Sequence, residues 1–104
     1  SAQAVFVACR AGIPRGFMTL RGDGCLDLAY VLPEARGTGT ASALLGTLEA
    51  HATAAGQRRL TTRASDMARS FFLRHGWRVA GPAPQRRAGL VLPATDMVRH
   101  LPPV

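Results

Sequence analysis

The chain has 104 residues, enough for one domain around a single hydrophobic core. Hydrophobic residues make up 47% and charged residues 18%, which excludes a disordered chain, and no apolar stretch approaches the ~20 residues that cross a membrane. The formal net charge of +7 predicts anionic partners without choosing among them. We therefore expect a soluble single domain over residues 1–104.

The first third of the chain predicts a three-stranded antiparallel meander. Apolar runs of strand length occupy residues 4–10, 16–20 and 25–31, and glycine-containing turns separate them. Pro33 ends the third strand, because proline cannot donate a hydrogen bond to a sheet ladder. No signal-peptide pattern opens the chain, so a cytoplasmic location is expected.

Two helices and three further strands follow. Apolar residues recur at helical spacing over residues 40–55, and Gly56 caps that helix. Residues 58–62 predict a strand reached by a β-α-β crossover, hence one with a parallel neighbour. Ser65 or Asp66 can cap a second helix that ends near Gly76. Residues 77–80 and 90–99 predict the last strands, around a turn at residues 81–84. The order β-β-β-α-β-α-β-β describes an α+β fold with a mixed, mostly antiparallel sheet.

The residue types outside these patterns narrow the function further. All 13 basic residues are arginine, and they are scattered, with the densest pairs at residues 58–59 and 86–87. A nucleic-acid-binding domain would instead cluster arginines with exposed aromatic residues, so that function is disfavoured. Cys9 and Cys25 lie in apolar runs without a Cys/His cluster, which predicts two buried free thiols and no metal site.

The segment between the third strand and the first helix is the most informative. Arg36-Gly37-Thr38-Gly39-Thr40-Ala41, here called the glycine loop, leads directly into the helix. A helix N-terminus offers unpaired amide donors and a partial positive charge, and glycines let these amides converge on one anion. Arg36 adds a guanidinium that suits phosphate oxygens. The loop therefore predicts a diphosphate site, although a simple strand-to-helix turn would use the same glycines.

Two other nucleotide-binding loops are excluded by their residues. A Walker loop requires a lysine after its last glycine, and the chain contains no lysine. The dinucleotide fingerprint G-x-G-x-x-G fails because Ser42 follows where its third glycine belongs, and because no acidic residue ends a strand ~20 residues later.

Residues 30–45, YVLPEARGTGTASALL, resemble the coenzyme A signature of the GNAT acetyltransferases. That signature is Arg or Gln, two residues, Gly, one residue, then Gly or Ala, and Arg36, Gly39 and Ala41 occupy those places. Residues 64–77, ASDMARSFFLRHGW, are similar to the next helix of that family, written A-x-x-F-Y and then G-F. The resemblance extends from about Val5 to Leu101 and implies a GNAT-like acyl-CoA acyltransferase fold.

The resemblance also implies a cofactor site. Acetyl-CoA would be the cosubstrate, with its pantetheine arm in a sheet that opens after Val31. The Val31 amide would stabilise the oxyanion that develops on the thioester carbonyl. The residues implied to bind the cofactor are Val31, Leu32, Arg36, Gly37, Thr38, Gly39, Thr40, Ala41, Ser65, Ala68 and Phe72.

The catalytic residues are harder to assign. Acetyl transfer to an amine benefits from a base for the acceptor and an acid for the leaving thiolate. Phe72 stands where the family often has a tyrosine acid, and Cys25 where it often has a glutamate. Strand alternation places Asp27 on the face of Cys25, so Asp27 is the candidate base, with pairing to an arginine as the alternative. The same alternation places Tyr30 on the opposite face, and His75 is expected to cap the second helix.

The hypothesis is an N-acetyltransferase that moves an acetyl group from acetyl-CoA to a primary amine. The alternative is a non-catalytic module that binds acyl-CoA, suggested by the residues at the usual acid and base places. Family members normally begin with a strand and one or two helices before the meander, and their absence here leads us to expect part of a longer protein. A naturally short chain would instead form a homodimer that covers the edge strand at residues 4–10.

Overall fold

The computed structural model describes residues 3–82, 85–87 and 89–103. Its first three strands form the predicted meander: β1 (Gln3–Arg10), β2 (Ile13–Arg21) and β3 (Cys25–Val31). Then follow helix α1 (Thr40–Ala54), strand β4 (Arg59–Ser65), helix α2 (Asp66–Arg74) and strand β5 (Arg78–Pro82). The chain ends with the strands β6 (Gln85–Arg87), β7 (Leu90–Leu92) and β8 (Ala94–His100).

The last part of the chain differs from the prediction. Residues 90–99 were expected to form one strand, but β7 and β8 are separated at Pro93, which has no amide proton for a ladder. The strand β7 pairs with β6 in a separate two-stranded sheet. The predicted turn at residues 81–84 includes Ala83 and Pro84, which lie outside the described residues.

The main sheet has six strands in the order β1-β2-β3-β4-β8-β5. The strands β3 and β4 are parallel, and the other neighbours in this sheet are antiparallel. This confirms both the crossover through α1 and the mixed, mostly antiparallel sheet. The strand β1 forms one edge of the sheet and β5 the other.

Both helices cover one face of the main sheet and share one core. Leu45 and Leu48 of α1 are at most 1% exposed, and Phe72 of α2 belongs to the same buried cluster. Trp77 is buried beside Phe72, and its indole nitrogen donates a hydrogen bond to Glu49 of α1 at 2.9 Å. In the described part of the chain no helix covers the other face, here called the helix-free face. Its apolar side chains are largely exposed: Val5, Val7, Leu28 and Tyr30.

The helix ends are set by local sequence. Gly39 precedes α1 with φ of 84°, a left-handed conformation that glycine adopts without strain. Ser65, one of the two predicted caps, accepts a hydrogen bond from the Ala68 amide at 3.3 Å and begins α2. Among the described residues, no helix combines the length and apolarity that a membrane span needs.

The prediction of two buried thiols is wrong. Cys9 is exposed and Cys25 is half-buried, and both are free. Each follows the alternation of its strand onto the helix-free face, where no helix of the described residues covers it. An apolar run in the sequence predicts a strand, but it does not tell which side chains of that strand face the helices and are buried.

Candidate active site

The site begins with an irregularity in β3. Leu26 pairs with Leu20 of β2, but Leu28 pairs with Thr19, so Asp27 is an extra residue without a partner on β2. This is a β-bulge, which bends a strand and changes the direction of its side chains. The Leu28 amide donates to the Thr19 hydroxyl at 3.0 Å and so finds a partner beside the bulge.

At the same place β3 separates from β4. The two parallel strands pair only at Cys25 with Thr61 and at Leu26 with Thr62. The Thr62 hydroxyl donates to the Leu26 carbonyl at 3.0 Å at the end of this ladder. The sheet was expected to open after Val31, but pairing ends five residues earlier, because the bulge at Asp27 turns β3 away from β4.

The opening between the strands is a cavity of about 340 Å³, here called the gap. Its apolar wall on the helix side comes from Ala68 and Phe72 of α2, and Pro93 and Ala94 close it from the β7–β8 connection. Ser65, Ala68 and Phe72, three of the residues implied to bind the cofactor, therefore lie together at the gap. Leu28 and Ala29 also line it, and sequence analysis did not single them out.

The glycine loop has the open backbone that a phosphate site requires. Gly37 and Gly39 have φ of 76° and 84°, and a Cβ added to either would meet no atom within 4 Å. The amides of Gly37, Gly39, Thr40 and Ala41 have no backbone acceptor among the described residues. Thr38 differs, since its amide donates to the Ala35 carbonyl at 3.3 Å. Four amides of the loop are therefore free to bind an anion.

A second cavity of about 210 Å³ lies against this loop, and we call it the loop cavity. Val31, Arg36, Gly37, Gly39, Thr40 and Ala41 line it, as the resemblance implied for a cofactor site. Phe71 and Arg74 of α2 line its other side. Sequence analysis missed these two residues, although their spacing of three places them on one face of a helix. Arg36 and Arg74 give the cavity two positive charges.

Two implied cofactor residues, Thr38 and Leu32, line neither cavity, and Leu32 lies on another surface. Its amide donates to the Arg15 carbonyl at 2.9 Å, so the meander already uses it. Its side chain lines an apolar groove on the helix-free face together with Val5, Val7 and Phe17.

Asp27 lies at the gap on the helix-free face. Its carboxylate accepts a hydrogen bond from the Gln3 side chain at 3.0 Å, and no arginine among the described residues forms an ion pair with it. The alternative role predicted for Asp27 from the sequence, an aspartate paired with an arginine, is therefore wrong for the described residues.

The expected orientation of Tyr30 is also wrong. Simple alternation placed Tyr30 opposite Asp27, but the bulge shifts the alternation by one residue. Tyr30 pairs with Phe17, and their rings lie 6.3 Å apart on the helix-free face. Tyr30 is therefore on the same face as Asp27, in the apolar groove rather than in the gap.

The gap continues on the helix-free face into a cleft of about 430 Å³, here called the outer cleft. Its charged lining residues are Arg21, Asp27, Arg63 and Asp96. Arg21 donates through two nitrogens to Asp23 in the β2–β3 turn. Mainly through this hydrogen bonding, the pKa of Asp23 lies below its ordinary value and the pKa of Arg21 above its own.

His75 joins the two helices beside the loop cavity. Its Nδ1 lies 2.9 Å from the Phe71 carbonyl of its own helix, and its Nε2 lies 3.0 Å from the Ser42 hydroxyl in the first turn of α1. Because a carbonyl only accepts, Nδ1 donates to the Phe71 carbonyl, and Nε2 is within hydrogen-bond distance of the Ser42 hydroxyl. The predicted cap is thus also a bridge between helices.

A mixed sheet that opens between two parallel strands, beside a glycine-rich helix N-terminus, is the architecture of an acyl-CoA acyltransferase. The chain belongs to the GNAT acetyltransferase family: the family model described as an acetyltransferase (GNAT) domain matches residues 1–101. None of the curated proteins compared with the chain matches it.

Solved structures with the same fold support this assignment. A GCN5-related N-acetyltransferase from Rhodopseudomonas palustris is 33% identical, with a TM-score of 0.90 over 95% of this chain and 62% of that one. Nourseothricin acetyltransferase is 23% identical, with a TM-score of 0.82 over 96% and 66% of the two chains. A phosphinothricin acetyltransferase from Sinorhizobium meliloti is 24% identical, with a TM-score of 0.80 over 93% and 60%. The chain thus spans less than two thirds of each of these three proteins.

Proposed function

We propose that this chain binds acetyl-CoA and transfers its acetyl group to a primary amine. The diphosphate would lie on the glycine loop, and the pantetheine arm would extend along α2 into the gap. The observation that carries the proposal is the loop itself: four of its residues have amides without backbone acceptors among the described residues, and these four line one cavity with Arg36 and Arg74. Related structures were solved with acetyl-CoA or coenzyme A bound, which supports the same ligand here.

The two cavities suit different parts of acetyl-CoA. Amides and guanidinium groups at the loop cavity match the negative charge of a diphosphate. The gap is less polar on its helix side, where Ala68 and Phe72 suit a thin pantetheine arm. Both cavities are bordered by α2, so one extended molecule can contact both.

Acetyl-CoA supplies the activated acetyl group, and the residues of the chain prepare the acceptor. An amine attacks only when it is unprotonated, and Asp27 at the gap would accept its proton directly or through a water. The Val31 amide is proposed to stabilise the developing oxyanion. Phe72 is buried against Trp77, with the rings 4.9 Å apart, and has no proton to donate to the leaving thiolate.

A second candidate function is an acyl-CoA-binding module without turnover. The same Phe72 favours it, because its place is packed into the core where a proton donor would be needed. The two functions share the glycine loop and differ in whether thiol is released from acetyl-CoA in the presence of an amine.

Thermal unfolding with acetyl-CoA tests the shared part. A ligand at a hundred times its dissociation constant stabilises by about 2.7 kcal/mol, which for a domain of this size raises Tm on the order of 10 °C. We expect such a shift with acetyl-CoA and a smaller one with ADP, which controls for generic anion binding. Thiol release on addition of amines then separates the transferase from the binding module.

Paired arginine variants make the test specific to the loop. Arg36→Gln removes a charge at the loop cavity and should reduce the acetyl-CoA shift, because its guanidinium would contact phosphate. Arg58→Gln removes an exposed charge just before β4, away from the loop cavity, and should leave the shift unchanged. Equal shifts in the two variants, or none with the unsubstituted chain, would mean that the glycine loop is only a turn.

A further inference from the structure

The outer cleft has a mixed-charge lining. Two arginines, Arg21 and Arg63, and two aspartates, Asp27 and Asp96, line a space of about 430 Å³. This local balance differs from the chain as a whole, which carries a net charge of +7. A small cavity with both signs of charge is complementary to a ligand that also carries both signs.

Arg63 is the guanidinium that remains available for a ligand. Its Nε donates to Asp96 at 3.3 Å, and the described residues offer no hydrogen-bond acceptor to its two terminal nitrogens. The pair with Asp96 orients the side chain, and the terminal nitrogens form the fork that binds a carboxylate through two parallel hydrogen bonds. Arg21 differs, because both its Nε and a terminal nitrogen are held by Asp23.

Asp27 and Arg63 stand on opposite sides of the gap. Leu26 and Thr62 form the last pair between β3 and β4, so the two charged residues directly follow that pair. Neighbouring strands lie roughly 5 Å apart where they pair, and these two are diverging. Among the described residues the two side chains form no ion pair with each other, and each has another partner, Gln3 or Asp96. A ligand with an amine and a carboxylate would bridge them.

We propose that the amine acceptor is a small zwitterion, an amino acid or a close analogue, with its amino group at Asp27 and its carboxylate on the Arg63 fork. This inference rests on the proposed acetyl transfer, since it names the acceptor of that reaction. A purely cationic amine would place positive charge against Arg63, and an acid without an amine would place negative charge near Asp27 with no ammonium group to balance it.

Calorimetric titration of the chain tests the acceptor without any turnover. The probes are L-methionine, L-phenylalanine and L-serine, each compared with its amide and with the amine that lacks the carboxyl group. We expect at least one free amino acid to bind tenfold or more tightly than both of its analogues. Arg63→Gln should lower this ratio of affinities by threefold or more, Arg63→Lys should lower it less, and Arg58→Gln should leave it unchanged.

Two results would overturn the inference: amides or simple amines that bind as tightly as the free amino acids, or an Arg63→Gln variant that weakens all three kinds of probe by one factor. Failure of the proposed function is seen separately, in the acetyl-CoA melting shift. A chain that binds acetyl-CoA and acetylates amides in preference to free amino acids would be a transferase with a different acceptor.

Discussion

Asp27 owes its position to the β-bulge in β3, where it is the residue without a pairing partner on β2. The bulge at Asp27 leaves Leu26 facing the core and turns Leu28 to the helix-free face, so the carboxylate lies where β3 leaves β4. Its only hydrogen bond among the described side chains comes from Gln3, a neutral donor. A carboxylate at the mouth of the gap is therefore a consequence of strand geometry as much as of residue type.

Asp27→Asn tests the base. The amide cannot accept a proton from an ammonium group, so kcat at pH 7 should fall by about a hundredfold or more, while the acetyl-CoA melting shift is retained. The loss should decrease as pH rises toward the pKa of the acceptor, because solvent then supplies the free amine. Asp66→Asn, an exposed carboxylate in the first turn of α2, is the matched control. Unchanged turnover of Asp27→Asn would remove Asp27 from the mechanism.

Single residues were predicted well where their role is local. Ser65 caps α2 as expected, and Gly39 begins α1 through its left-handed backbone. The orientation of Tyr30 and the burial of Cys9 and Cys25 were wrong, because both depend on a bulge or on which face of the sheet the helices cover. Neither Leu26 nor Leu28, which flank the bulge, carries a sequence signal for it.

At the scale of elements, the site depends on how α1 and α2 are held together. The loop cavity has the first turn of α1 on one side and Phe71 and Arg74 of α2 on the other. His75 spans the two helices through the Phe71 carbonyl and the Ser42 hydroxyl, and its ring lies 4.4 Å from that of Phe71. We infer that this bridge sets the width of the loop cavity.

His75→Leu removes both hydrogen bonds of the bridge. We expect a loss of about 1 kcal/mol in the free energy of unfolding and a three- to tenfold weaker binding of acetyl-CoA, because the two walls of the loop cavity are no longer tied. His75→Gln retains a polar side chain and should recover part of the affinity. A purely structural role would instead lower stability in both variants and leave the dissociation constant for acetyl-CoA unchanged.

The elements themselves were largely readable from local patterns. Helical spacing and Gly56 located α1, a cap at Ser65 or Asp66 and Gly76 located α2, and the crossover rule gave the parallel β3–β4 pair. The division of the last strand at Pro93 was missed, although proline is a recognised interruption of a ladder. The extent of the gap was not readable, because it depends on where two strands distant in sequence cease to pair.

At the scale of the whole molecule, one core supports both cavities. Leu48 of α1 is 0% exposed, and it belongs to the same cluster as Phe72 and Trp77. Arg99 of β8 forms an ion pair with Glu49 at 3.5 Å, beside the hydrogen bond from Trp77. Helix α1, which carries the glycine loop, is thereby tied to the sheet by packing and by polar contacts.

Leu48→Ala should destabilise the whole domain. Removing a fully buried leucine side chain costs about 2–5 kcal/mol, a large share of the ~5–15 kcal/mol that stabilises an ordinary domain. Leu73→Ala is the matched control, since Leu73 of α2 is 46% exposed, and surface substitutions usually change stability by about 0.5 kcal/mol or less. Urea unfolding measures both. A similar loss in the two variants would contradict a single core beneath the helices.

The helix-free face includes the edge strand that a homodimer was predicted to cover. The edge strand β1 and the exposed Val5 and Val7 beside it form an apolar surface next to Leu28 and Tyr30. Coverage of the edge by a second copy, or by further chain of a longer protein, stays a prediction. Sedimentation of the 104-residue chain distinguishes a dimer from a monomer.

The sequence by itself determined the order of the elements from β1 to β5, the family and the glycine loop, because each depends on residues close together in the chain. Helical spacing, a left-handed glycine and a helix N-terminus are local properties. Only the tertiary structure decided the face on which Tyr30 lies, the closeness of Arg74 and His75 to the loop, and the facing of Asp27 and Arg63 across the gap. These depend on strand register and helix packing between distant segments, where a shift of one residue changes the face of every side chain that follows.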